Sequence, residues 1–213
     1  MKHTLPIAIG GSAANPATIG HFKLIEWLLD SGKFSTVIWI LSGDRPDKKN
    51  LITPDHRLIM TLLTFPQEWF LRKDVRFIVS FEDVYGKNMS TIDWLLKVKA
   101  QYPYQKIVWY TGADSVVPKP EYDNLSEIEA KWVRGKELFE KWNFLIFPRQ
   151  GYVDLKTLSL PANFEIVDVT FPQVSSSEVR RRILEGESFE EYMMPHAAQY
   201  IKQNGLYGYK QEL

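Results

Sequence analysis

Six short apolar runs rich in β-branched residues punctuate this chain: Leu5–Ile9, Thr36–Leu41, Val75–Val79, Lys106–Thr111, Phe144–Phe147 and Phe164–Val169. Each is too short for a buried helix and suits a strand covered on both faces. Between them lie segments whose apolar residues recur at helical spacing, notably His21–Leu29, Asp55–Thr64, Thr91–Lys99 and Val133–Lys141. Strands that alternate with helices must run parallel, because a crossover helix returns the chain to the same end of the sheet. Right-handed crossovers then gather the loops that follow the strands along one edge, where open sheets of this kind bind their ligands.

The C-terminal third breaks the alternation. Ser175–Glu185, a stop at Gly186, and Pro195–Gln203 read as consecutive helices with no strand between them. Pro195 suits a first helical turn, and Gly205 suits a C-terminal stop. The expected fold is therefore α/β, a Rossmann-like doubly wound parallel sheet with a C-terminal helical segment over about 175–213. At 213 residues, one domain over 1–213 has enough chain for one core. Pro118–Glu129, with its prolines and acids, reads as an inserted surface loop.

Charge and composition narrow the chemistry. The 26 basic residues balance the 26 acidic ones, so no net field draws a polyanion, and neither nucleic acid nor an acidic membrane is an expected partner. A phosphate ligand must be held by a local set of donors. The absence of cysteine excludes disulfides, thiolate nucleophiles and Cys-type metal sites, and fits a reducing cytoplasm. The first apolar run leads into glycines and reads as a strand and not a signal peptide, and no apolar stretch nears the roughly 18 residues of a membrane span. His3, His21, His56 and His196 are scattered without an H-E-x-x-H pattern, so no metal ligand is assigned.

Two segments carry chemistry. The run from Gly10, Gly11 and Ser12 to Gly20 and His21 joins the first strand to an amphipathic helix. Glycines let the backbone approach a ligand closely, and a helix start presents unpaired N–H groups that suit an anion. Neither a P-loop nor a G-x-G-x-x-G pattern is present. Far away in sequence, Val174-Ser175-Ser176-Ser177-Glu178-Val179-Arg180 places hydroxyls at a second helix start with a guanidinium one turn later, which also forms an anion site.

Pro16-Ala17-Thr18-Ile19-Gly20-His21 resembles the (H/T)-x-G-H signature of the nucleotidyltransferase superfamily, and the Ser175–Arg180 segment resembles its I-S-S-T-x-[IV]-R motif. Gly112-Ala113-Asp114-Ser115, Lys131-Trp132, Glu137-Leu138 and Phe147-Pro148-Arg149-Gln150-Gly151-Tyr152 resemble the G-A-D-S…K-W…E-L…R-P-G-Y progression of the nicotinate mononucleotide adenylyltransferases. Asp55-His56-Arg57-Leu58 and Ser90-Thr91-Ile92-Asp93-Trp94-Leu95 are similar to further segments of that family. Departures are Thr18 where the family usually has histidine, Asn15 in place of its usual aspartate, and Asp47 in place of a histidine before Lys48.

The resemblance implies adenylyl transfer from ATP to nicotinate mononucleotide, with Mg2+ carried by the triphosphate. It implies catalytic parts for His21, Thr18, Lys48 and Arg180, with Thr18 as a second neutral donor to ATP. Gly10, Gly11, Ser12, Gly20, His21, Gly112, Asp114, Ser175, Ser176 and Arg180 fall on the ATP side. Thr91, Trp132 and Arg149 fall on the mononucleotide side. Nicotinamide mononucleotide as acceptor, and a nucleotide-binding module without turnover, are the alternatives. The sequence does not specify the oligomeric state.

Overall fold

The computed structural model describes residues 5–43, 51–86, 88–149, 155–169, 171–172 and 174–210. Six strands form one sheet in the order β3-β2-β1-β4-β5-β6, and every pairing is parallel. They are β1 (Ile7–Ser12), β2 (Thr36–Leu41), β3 (Arg76–Ser80), β4 (Ile107–Gly112), β5 (Asn143–Phe147) and β6 (Phe164–Ile166). This is the doubly wound order: the chain builds outward from β1 to one edge, returns, and builds outward from β4 to the other.

Helices cover both faces. α1 (Ile19–Asp30), α2 (Pro54–Thr64) and the single turn α3 (Gln67–Phe70) precede β3. The turn α4 (Glu82–Tyr85), α5 (Thr91–Gln101), α6 (Glu127–Lys131) and α7 (Gly135–Lys141) follow, and α8 (Ser176–Glu185) and α9 (Pro195–Gln203) close the fold. The period-two alternation of the strands sorts their side chains. Ala8, Val37, Trp39, Leu41, Val108, Tyr110 and Phe147 face one layer, where Ile25, Leu28 and Leu29 of α1 meet them. Ile7, Ile9, Ile38, Ile40, Trp109 and Ile146 face the other, against Ile92, Trp94, Leu95 and Val98 of α5. Each of these fully buried aliphatic side chains contributes about 1.5–3 kcal/mol.

A third, smaller core gathers Val179, Ile183, Phe189, Met193, Ala197, Ala198 and Ile201 around Met60 of α2. The C-terminal helices thus seat on α2, and the Tyr200 hydroxyl lies 2.8 Å from His56 Nδ1 across that seam.

The structure corrects two expectations. β1 begins and ends later than Leu5–Ile9, so Gly10 and Gly11 are strand residues paired with Trp39 and Ile40, not part of the turn. Their lack of a side chain serves the sheet. A Cβ on Gly10 would lie 2.6 Å from the Tyr110 ring, whose hydroxyl donates to the carbonyls of Gly10 and Ile38 at 3.1 and 2.9 Å. A Cβ on Gly11 would lie 2.1 Å from the Ile40 carbonyl oxygen.

The second concerns Pro118–Glu129: its first eight residues lie at the surface as expected, but the segment is not loop throughout. A 3-10 turn at Pro120–Tyr122 and a bridge between Lys119 and Leu125 lead into α6. Ser126 caps that helix, its Oγ accepting from the Glu129 N–H at 3.2 Å while the Glu129 carboxylate accepts from the Ser126 N–H at 3.1 Å. The S-x-x-E spacing signals this capping box in the sequence.

Because backbone stands where a new methyl group would go, Gly11→Ala should cost about 3 kcal/mol of stability. Thermal unfolding should show a lowered midpoint. An unchanged midpoint would mean that β1 and β2 separate more easily than their register implies.

Candidate active site

A cleft of about 790 Å3 opens at the carboxyl ends of β1 and β4, the point where the sheet order reverses. Its size lies in the range typical of small-molecule sites. It is walled by the turn after β1, by Gly112 at the end of β4 and Asp114 beyond it, by Phe147 at the end of β5 with Pro148 and Arg149 beyond it, and by the start of α8. Two helices, α1 and α8, present their N-terminal turns to it, so the N–H groups and positive dipole ends of two helix starts converge on one space.

His21 stands in the first turn of α1. Its Nδ1 accepts from the Thr18 main-chain N–H at 3.0 Å and lies 2.9 Å from the Thr18 hydroxyl. With Nδ1 committed as an acceptor, the proton of the neutral ring resides on Nε2, which makes that nitrogen a donor. The ring also meets Trp39 edge-on at 5.4 Å, which fixes its plane. Thr18 is fully buried behind it. The Thr18 main chain thus sets the imidazole's tautomer, and its hydroxyl lies against the same ring nitrogen at the cleft wall.

The two motif-bearing turns touch each other directly. The Ser176 hydroxyl donates to the Pro16 carbonyl at 2.8 Å, and Arg180 donates to the Asn15 carbonyl at 2.7 Å and to the Ser177 hydroxyl at 3.1 Å. Ser175 caps α8 by accepting from the Glu178 N–H at 3.0 Å. A guanidinium carries five N–H donors, so Arg180 can hold the loop and still face an anion.

Beneath the loop, Arg57 of α2 is fully buried and donates to three carbonyls: Ile52 at 3.3 Å, Ala13 at 3.1 Å and Ser42 at 2.6 Å. It ties the ends of β1 and β2 to the start of α2. On the β4 side, Asp114 lies 3.5 Å from the Arg149 guanidinium. A Cβ on Gly112 would come within 2.5 Å of the Asp114 carboxylate, so only glycine leaves that carboxylate its position.

Of the residues singled out in the sequence, the cleft brings together Ser12, Thr18, Gly20, His21, Gly112, Asp114, Arg149, Ser175, Ser176 and Arg180. Gly10 and Gly11 lie back in β1, as described above. Thr91 opens α5 and Trp132 ends α6, both away from the cleft walls; the Trp132 ring stands edge-on to Trp109 at 6.2 Å and packs on the second core. Lys48 lies outside the described residues. Arg57 and Asn15 belong to the cleft's framework in a way their sequence segments do not reveal, because the carbonyls they hold are set by the chain's path. Among the described residues no three His, Asp or Glu side chains gather as a metal site, and no helix is long and apolar enough to cross a membrane.

The cytidylyltransferase-like family model matches residues 9–182, a span that holds both motif turns. A relative from Clostridium botulinum, named a probable nicotinate-nucleotide adenylyltransferase, is 30% identical over 94% of this chain and 98% of its own length. The chain belongs to the cytidylyltransferase-like family and, within it, to the nicotinate-nucleotide adenylyltransferases. A Thermus thermophilus relative of the same name is 29% identical over 94% of this chain and 98% of its own. The Plasmodium falciparum nicotinic acid mononucleotide adenylyltransferase, solved in complex with NaAD, shares the fold with a TM-score of 0.79 at 19% identity, covering 98% of this chain and all of that one.

At the mouth of α8, Glu178 is gripped by Arg181, whose Nε and second head-group nitrogen donate at 3.0 and 2.8 Å, and by Arg182 at 2.8 Å. The Arg181 hydrogen bond leads in holding its carboxyl down to about 2, from an ordinary 4.5. A depressed acid stabilises the fold above its ordinary range and stops doing so as it protonates. The Glu178 contribution should therefore be complete above about pH 4.5 and fade as the pH falls toward 2. Carboxyl-detected NMR titration checks this, and a Glu178 midpoint near 4.5 would show that the arginines do not hold it.

Proposed function

We propose that the chain transfers the adenylyl group of ATP to nicotinate mononucleotide, giving nicotinate adenine dinucleotide and pyrophosphate. The observation that carries this reading is the joining of the His21 turn and the Arg180 turn along one cleft, by bonds at 2.8 and 2.7 Å across more than 150 residues of sequence. The reaction needs no protein nucleophile. The mononucleotide's own phosphate, whose second pKa is about 6, is mostly dianionic at neutral pH. One of its oxygens attacks the α-phosphorus of ATP, and the bond to the β-phosphate oxygen breaks to release pyrophosphate.

The protein's task is then to align two anions and to receive charge as pyrophosphate departs. His21, its donor set by Thr18, serves the phosphate oxygens. Arg180 and the N-terminal turns of α1 and α8 neutralise the departing group, with Ser12, Ser175 and Ser176 around it; Lys48 is assigned to the same task by resemblance. ATP enters with Mg2+ on its phosphates, held there by phosphate oxygens and water. Gly112 and Asp114 take the adenosine side, with the Asp114 carboxylate an acceptor for ribose hydroxyls. Arg149, beside Asp114, is suited to the second nucleotide, and Thr91 and Trp132 complete its side by resemblance. We read 1–213 as one nucleotidyltransferase domain working in the cytoplasm.

Gly20 gives a clean test. A Cβ there meets no protein atom nearer than 3.4 Å, an ordinary contact, so the fold does not require glycine. Gly20→Ala should keep stability within about 0.5 kcal/mol while weakening ATP binding, because the added methyl stands at the mouth of the phosphate-facing turn. His21→Ala should lower turnover about 100- to 1000-fold with the fold intact. Pyrophosphate release with ATP, Mg2+ and a panel of mononucleotides reads both. Release with nicotinamide mononucleotide alone would transfer the reading to that acceptor, and a fully active His21→Ala would end it.

A further inference from the structure

The C-terminal turn beside the cleft holds a residue in a conformation its side chain does not favour. Leu206–Gly208 form a 3-10 turn in which Tyr207 takes φ 58 and ψ 21, between Gly205 at φ 57 and Gly208 at φ 82. The left-handed region suits glycine and disfavours a bulky side chain. Such an outlier, kept by its surroundings, points to a task.

The Tyr207 hydroxyl supplies that task. It donates to Asn15 Oδ1 at 2.9 Å, 192 positions away in sequence. The Ile52 N–H reaches the same oxygen at 3.4 Å, and the Asn15 main-chain oxygen accepts from Arg180. Asn15 is therefore gripped on its side chain and its main chain by three separate parts of the fold. Its neighbour Ala14 also lies in the left-handed region, at φ 45, so this loop has a shape that it does not hold by its own preference. Burial keeps the Tyr207 phenol well above its ordinary value, although the Arg180 and Arg57 guanidiniums pull the other way. The hydroxyl thus stays protonated, and a donor, across the working pH range.

We propose that Tyr207 is a positioning residue for nucleotide binding: its hydroxyl fixes the Asn15 amide and so holds the loop of residues 13–16 in the shape that receives the phosphates of ATP. The proposal rests on the reading of this cleft as the ATP site. It adds the C-terminal turn, which lies outside both motif segments, to the machinery that forms that site.

Tyr207→Phe removes one oxygen and keeps the ring, and Tyr200→Phe is the matched control. The Tyr200 hydroxyl bonds His56 in the same C-terminal layer, so its loss perturbs the seating of α9 on α2 without reaching the loop. Calorimetric titration with ATP and Mg2+, in the absence of any mononucleotide, should show Tyr207→Phe about five- to tenfold weaker than wild type and Tyr200→Phe unchanged. Asn15→Ala should weaken binding at least as much, and adding Tyr207→Phe to it should cost nothing more. In turnover, KM for ATP should rise with the binding constant while kcat and KM for the mononucleotide stay within about twofold.

Wild-type affinity in Tyr207→Phe would overturn the proposal. Equal weakening by the two tyrosine variants, or additive losses in the double variant, would overturn it as well. A wild-type protein that binds ATP but releases no pyrophosphate with any mononucleotide counts against the proposed reaction alone, and the binding comparison still decides the part of Tyr207.

Discussion

Two carbonyl oxygens decide whether this protein has a site. Those of Asn15 and Pro16 point at α8, where Arg180 and the Ser176 hydroxyl receive them. A parallel sheet with its crossover helices delivers loops to one edge but does not give any one loop a unique shape. The loop after β1 obtains its shape by having its main chain bonded to a second helix start. Buried or half-buried carbonyls that lost these donors would cost about 1–3 kcal/mol each, enough to favour another loop conformation. The same contacts bring the two positive helix ends together, so the geometry that satisfies the backbone also creates the anion-binding field.

Much of this architecture can be read from the residues. The strands Thr36–Leu41 and Phe144–Phe147 and the helices Asp55–Thr64 and Pro195–Gln203 match the apolar patterning to within a residue at each end. Burial on both faces leaves a strong signature, a run of β-branched and aromatic residues with a sharp end. The errors fall where that signature is ambiguous. Glycine reads as turn punctuation, yet Gly10 and Gly11 continue β1 because the Tyr110 ring and the β2 backbone fill the space that side chains would need. Nothing local to the two glycines reveals it; the reason lies 100 residues downstream for Gly10 and 29 for Gly11.

For the site, the chemistry-bearing residues are more legible than their duties. His21, Arg180, Ser176, Asp114 and Arg149 lie along one cleft. Which of them would touch a ligand and which hold another residue is a matter of distances. Thr18 reads as a phosphate donor in the sequence, and in the fold its main-chain N–H also holds the His21 ring. Arg57 reads as one more helical arginine, and it is a fully buried cation bonded to three carbonyls. A buried guanidinium is tolerated only where oxygens surround it, and oxygens supplied by three different main-chain segments leave no pattern around position 57.

The small third core has an outcome for biosynthesis. A chain emerging from the ribosome completes its six strands once residue 166 is out, and that much can already cover both faces of its sheet. Its first loop must wait. The donors that shape residues 15 and 16 are made 160 to 192 positions later, on the segment that packs around Met60. A product stopped before residue 176 would keep most of the sheet's apolar interior and leave the carbonyls of residues 15 and 16 without these partners, so a segment made long after the first loop completes the wall that this loop begins.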